Sequence, residues 1–188
     1  MNGQIILNRE EIIAQLNDQE LEKLFKLFQL LRSSLNEAMV QQFNRSLPFN
    51  ELLFDRWEKA AALGYGRGTS VYDSCCIFGQ VKIGEDTWVG PYTVIDGSGG
   101  LEIGSNCSIS AGVQIYSHDS VEWASSGGKE PYTYAATKIG NNCYIGPNTI
   151  ISKGVEIGDG SVIGANSFVN KSFPAGSKIA GSPARLLN

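Results

Sequence analysis

From Val71 onward the chain repeats with a step of six residues. Ile77, Ile83, Val89 and Ile95 stand six apart. After a two-residue slip at Gly99-Gly100, Ile103, Ile109 and Ile115 keep the step, and beyond an interruption Ile139, Ile145, Ile151, Ile157, Ile163 and Val169 resume it. Glycine follows the aliphatic residue at Gly84, Gly90, Gly104, Gly140, Gly146, Gly158 and Gly164, and a compact residue stands four after it at Thr87, Thr93, Cys107, Val113, Cys143, Thr149, Val155, Ser161 and Ser167. Neither a helical period near 3.6 nor hairpin turns at roughly 8 to 12 residues produces a strict six. A six-residue unit is one short strand and one corner. The aliphatic side chain points inward, glycine tolerates unusual backbone angles near the turn, and the compact residue fits where walls converge. One such unit buries nothing alone, so the units must stack into a solenoid whose coils pair with those above and below.

Residues 1–64 read differently, as a helical region ahead of a repeat domain over 65–188. Asn8-Arg9-Glu10-Glu11 has the form of a capping box. Asn17-Asp18 caps a second helix carrying Leu21, Leu24, Phe25, Leu27, Phe28, Leu30 and Leu31, a spacing wider than one face that predicts burial against neighbours. A third helix is predicted from Glu51 to Leu63, with Gly64 as its stop. The helices are expected to cover the open top of the solenoid and blunt its strand edges. Gly64-Tyr65-Gly66-Arg67-Gly68 is a poor phosphate loop, because no strand precedes it and no helix follows.

Composition narrows the function. The 188 residues carry a net charge of -4, which excludes a protein that coats nucleic acid. No apolar run approaches the ~20 residues that span a bilayer. Met1 to Glu10 lacks the basic-then-apolar order of a secretion signal, so a cytoplasmic protein is expected. Cys75, Cys76, Cys107 and Cys143 form no CxxC pair and read as structural thiols, not a zinc or disulfide framework.

The pattern of Ile or Val, then Gly, then a compact residue resembles the hexapeptide-repeat acyltransferases. That resemblance covers residues 71–188. It implies a mainly β fold, a left-handed parallel β-helix of triangular section, with chains packed as homotrimers and active sites in the clefts between subunits. Ile115-Tyr116-Ser117-His118-Asp119 is similar to the catalytic stretch of the galactoside and maltose O-acetyltransferases, in which a histidine closes the first block of repeats and a long loop follows. Here the loop spans 119–138, and Ile139-Gly140-Asn141-Asn142 restarts the coil. Ala180-Gly181-Ser182-Pro183-Ala184-Arg185 resembles the terminal Gly-x-Pro-Ala-Arg that lies near coenzyme A. The helices, the segment Val94–Gly100 and the loop look closest to acyltransferases of cell-surface polysaccharide synthesis, some of which acylate the amino group of a nucleotide-linked sugar.

What the resemblance implies can be placed residue by residue. His118, the single histidine, stands where the regular coil breaks and suits a general base that takes the proton of an attacking hydroxyl. Asp96, at the slip, is expected to be pushed out of the wall by a bulge and to bind the acceptor, or else to be an ordinary Asp-Gly turn. Asp119 is a candidate for holding the imidazole tautomer. Trp123, Tyr132 and Tyr134 can stack on a sugar ring or pack on a neighbouring subunit. For acetyl-CoA, a co-substrate rather than a resident cofactor, the expected contacts are Tyr144 as a wall beside the pantetheine and the amides of Gly146, Gly164 and Ala165 along its arm. Lys171 and Arg185 match positions near the phosphates.

Three functions remain open on these residues. The first is transfer of an acetyl or short acyl group from coenzyme A to a sugar hydroxyl by direct attack, with His118 as base. The second is N-acylation of a nucleotide-linked amino sugar, with Asp96 or the substrate supplying the base. The third is a non-enzymatic trimeric scaffold. An anhydrase built on the same solenoid needs three histidines on zinc, and one histidine does not supply them.

Overall fold

The computed structural model describes residues 18–187 and divides into two compact units, Met1–Leu53 and Phe54–Asn188. The expected caps at Asn8 and Asn17 lie outside the described residues. In the first unit, helix α1 (Asp18–Phe43) has Asp18 and Glu20 in its first turn, where acidic groups meet the exposed N–H dipoles. Its apolar positions are covered less than their number predicts. No side chain of α1 is buried, although Phe28 meets Phe49 of α2 (Phe49–Leu53) edge-on at 6.4 Å.

The third predicted helix is broken in two. Asp55 accepts hydrogen bonds from the amides of Trp57 and Glu58 at 2.8 and 3.0 Å, so it ends any continuous helix and starts α3 (Arg56–Ala62). Gly64 stops α3 as expected. It takes a φ of 76°, and its amide and that of Tyr65 return to Ala61 and Ala60. Within the second unit α3 packs on β1 (Ser70–Val71), burying Ala60 and covering the first strand of the solenoid.

The repeats wind into parallel coils with three strand faces. The first face stacks β1, β3 (Trp88–Val89), β5 (Ser108–Ile109), β10 (Tyr144–Ile145), β13 (Val162–Ile163) and β15 (Lys178–Gly181), and β16 (Ala184–Leu186) closes it antiparallel. The second stacks the first halves of β2 (Cys76–Ile83) and β4 (Val94–Ile103) with β6 (Gln114–Ile115), β11 (Ile150–Ile151) and β14 (Phe168–Val169). The third joins the second halves of β2 and β4 to β9 (Thr137–Ile139) and β12 (Glu156–Ile157), which bridges to Phe173.

Equivalent aliphatics lie in register, so the core is a set of columns. Val71, Val89, Ile109, Ile145, Ile163 and Ile179 form one column and are all fully buried. Side chains alternate across each short strand, which puts the first residue of each pair outside. On the third face these outward residues form a ladder, Lys82, Glu102, Lys138 and Glu156, each opposite a charge of the other sign.

The repeat glycines have a different task from the one expected. None of those following the inward aliphatic takes a positive φ; that conformation falls instead to corner residues such as Asn106, Asn142, Asn148 and Asn166. What the glycines provide is close approach. A Cβ on Gly146 would sit 2.5 Å from the Ala165 amide nitrogen, and one on Gly158 would sit 2.3 Å from that of Ala175. Among the described residues, no helix is long and apolar enough to cross a membrane.

Candidate active site

The coil breaks at two neighbouring places, and together they build the site. In β4 the second coil carries extra residues relative to β2, and the register shifts between Gly79 and Val81. One coil later the chain leaves the solenoid altogether, through β7 (His118–Asp119), α4 (Val121–Ser125) and β8 (Thr133–Tyr134), the last pairing antiparallel with β7. The slip places Asp96 under the point of departure.

Asp96 is not pushed out of the wall. It is 1% exposed, and both its oxygens are occupied. Oδ1 accepts from the Ser98 amide at 3.1 Å and the Ser98 hydroxyl at 2.5 Å, and Oδ2 accepts from the Ser117 amide at 2.9 Å. Oδ2 also lies 2.6 Å from His118 Nδ1. Direct contact with an acceptor is therefore replaced by contact with the imidazole. Burial alone would raise this carboxyl's pKa, but the hydrogen bonds from Ser98, Ser117 and His118 outweigh it and lower the value to about 2. A carboxylate ionised at every working pH accepts and does not donate, so Nδ1 carries the hydrogen and the neutral ring's lone pair is on Nε2.

Asp119, the other carboxylate considered for the imidazole, engages different groups. Adjacent residues of a strand face opposite ways, and Asp119 turns from the ring. Its Oδ2 lies 2.6 Å from Lys153 Nζ, while Oδ1 accepts from the Val121 amide and the Thr133 hydroxyl at 3.2 and 3.0 Å. The Lys153 hydrogen bond holds its carboxyl below the usual range.

The loop aromatics gather at the histidine. Tyr132 and Tyr134 lie nearly parallel to the imidazole, with centroids 6.2 and 5.8 Å away, and Trp123 meets Tyr132 edge-on at 5.6 Å. A cleft of about 500 Å³ is lined by His118, Tyr116, Val121, Ile150, Lys153 and Phe168. Its lining combines apolar side chains with an imidazole, an arrangement able to hold a small acyl group beside a hydroxyl.

The residues expected along coenzyme A are spread over the later coils. Tyr144 is exposed on β10. The amides of Gly146 and Gly164 donate to Ile163 and Ile179 within the ladder, both at 2.8 Å, so they cannot also hold a pantetheine arm. Ala165 approaches Gly146 closely for the reason given above. Lys171 lies 5.3 Å over the Phe173 ring, and Arg185 donates to the Ala184 carbonyl at 2.8 Å. Of the thiols, Cys75, Cys107 and Cys143 are buried and Cys76 is exposed. Sequence reasoning missed Ser98, Ser117, Lys153 and Thr133. The Asp-Gly-Ser order at 96–98 is a side-chain turn signature that could have marked Ser98; Ser117 and Lys153 meet their partners only through stacking, and Thr133 meets Asp119 only through the β7–β8 pairing.

The repeats match two family models: bacterial transferase hexapeptide (six repeats) over residues 136–171, and hexapeptide repeat of succinyl-transferase over residues 80–117. A putative acetyltransferase of Bacillus subtilis, YvoF, is 32% identical over 87 residues, 46% of each chain. Galactoside O-acetyltransferase of Escherichia coli is 43% identical over 58 residues, 31% of this chain and 28% of its own. This chain thus spans less than half the length of either curated relative. The crystal structure of a hexapeptide-repeat acetyltransferase from Vibrio cholerae, VCA0836, complexed with acetyl coenzyme A, aligns with a TM-score of 0.62 at 25% identity, covering 85% of this chain and 87% of that one. The step of six, the stacked coils and these likenesses converge: the chain carries hexapeptide repeats and is similar in sequence and fold to these acetyltransferases.

Proposed function

We propose that the protein transfers an acetyl group from acetyl-CoA to a hydroxyl of a carbohydrate acceptor. The observation that carries this reading is His118 in the lining of the cleft with its Nδ1 held 2.6 Å from the buried Asp96 carboxylate. Nε2 accepts the hydroxyl proton as the acceptor oxygen attacks the thioester carbonyl. The C–O bond forms, the C–S bond breaks, and the proton on Nε2 passes to the departing thiolate, whose pKa of roughly 8.5 makes it a good leaving group. Asp96 stabilises the imidazolium in between, as an oriented carboxylate does in a catalytic triad. Trp123, Tyr132 and Tyr134 form the acceptor wall, where flat faces suit a sugar ring. Tyr144, Ala165, Lys171 and Arg185 border the coenzyme on this reading, and a second copy of the chain completes the cleft in a homotrimer.

The test is thiol release from acetyl-CoA with a panel of sugars and nucleotide sugars, for the wild type and His118→Ala. A fall of roughly 10²–10⁴-fold in kcat, with acetyl-CoA still bound by calorimetry, supports the base. Near-normal turnover would move the reading to acylation of an amine, which needs less help from imidazole. Absence of acetyl-CoA binding in the wild type would leave the scaffold reading.

A further inference from the structure

The loop that carries the aromatic wall has almost no core of its own. No residue of α4 is buried, Val121 is 66% exposed, and Gly127 and Gly128 both take positive φ. Polar ties must therefore fix where Tyr132 and Tyr134 stand. One tie reaches across from the next coil. Lys153, just past β11, places Nζ 2.6 Å from Asp119 Oδ2 and also donates to the Thr133 hydroxyl, which in turn donates to Asp119 Oδ1 at 3.0 Å. The three groups close a triangle. Asp119 and Thr133 are register partners in the β7–β8 ribbon, and the neighbouring pair in that ribbon is His118 and Tyr134. The triangle thus sits one step along the strand from the stacked imidazole and tyrosine.

We propose that Lys153 is a positioning residue for the acceptor: it clasps Asp119 to Thr133 and thereby holds Tyr132 and Tyr134 against His118. This rests on the transfer reading above for its consequence, though not for its geometry. Charge is essential to the clasp, because a cation must satisfy a carboxylate and a hydroxyl at once, and the Lys153 side chain is only 25% exposed. Arginine can keep both contacts; methionine, with similar bulk, keeps neither.

The test compares Lys153→Met and Lys153→Arg in the full chain, by two readouts. Amide hydrogen exchange should speed up by about tenfold or more across residues 121–134 in Lys153→Met while Gly146 and Gly164 keep their protection, and Lys153→Arg should restore most of it. In steady-state transfer, Lys153→Met should raise KM for the acceptor by about tenfold, well beyond any rise in KM for acetyl-CoA, the scale of one lost charge-assisted contact. Unchanged exchange in the loop overturns the clasp, and so does a loss shared equally by both substrates. If the wild type transfers nothing, the function proposed above fails, while hydrogen exchange still decides the clasp.

Discussion

Asp96 and His118 are 22 residues apart in sequence, yet Oδ2 of one lies 2.6 Å from Nδ1 of the other. The solenoid brings them together by stacking consecutive coils, and two local departures from the step of six aim them at each other. A buried carboxylate fixed by two serines is a rigid support for the ring, and on the proposed reading it limits the ring's rotation during proton transfer.

Asp96→Asn should remove that support while keeping the volume. An amide presents either a donor or a weaker acceptor to Nδ1, so the ring loses its fixed tautomer and the stabilisation of its charged form. Turnover is expected to fall by roughly 10²–10⁴-fold, with KM for acetyl-CoA little changed. Steady-state kinetics of the purified variant checks both.

Asp96 should also mark the acid limb of stability. Its folded pKa of about 2 lies below the ordinary value of 3.8, so the folded state gains stability that is fully present above pH 4 and is lost as pH falls towards 2. The difference corresponds to about 2 kcal/mol. Urea unfolding of the wild type at pH 7 and at pH 3 should show part of this loss, and Asp96→Asn should flatten the difference.

Gly99→Ala tests the loop's root without altering any reacting group. A Cβ there would sit 2.3 Å from the Ser117 carbonyl oxygen, which accepts the Ala135 amide at 2.9 Å where the chain returns from the loop. The backbone must shift, at about 1–3 kcal/mol. Thermal unfolding should show the loss, and kcat should fall with it because Ser117 also donates to Asp96. Gly127→Ala meets nothing within 4 Å and costs only the strain of its φ of +67°, so turnover there should change far less.

The core columns and the outer ladder should differ sharply in their sensitivity. Ile145→Ala, in a fully buried position, is expected to cost about 2–5 kcal/mol. Lys82→Ser breaks an ion pair whose lysine side chain is 82% exposed and should cost about 1 kcal/mol or less. Urea melts of the two variants side by side measure the contrast.

The solenoid was legible because its signal is repeated: each inward isoleucine has the same environment as the one a coil away, so many residues vote for one register. Ile77 shows the limit. It keeps the step but is only partly buried, because it lies in the first coil, at the end of its column. The site was legible in part. His118 stood out as the single histidine at the break, but its carboxylate partner did not, since adjacency in sequence favours Asp119 and strand alternation turns that residue away. Asp96 drew notice as a slip residue, and its burial depended on Ser117 arriving from the coil above. Lys153 gave no sign, because only stacking brings it to the loop. The helical region was legible in its stop at Gly64 and less so in its continuity, where one aspartate at 55 outcompeted the apolar pattern on either side.

Nearly identical rungs carry a hazard: a nascent rung can settle on the wrong neighbour without exposing any isoleucine. The ladder of Lys82, Glu102, Lys138 and Glu156 discriminates where the interior cannot. Skipping one rung would set lysine opposite lysine or glutamate opposite glutamate, so the outside of the wall proofreads the winding order that the inside leaves degenerate.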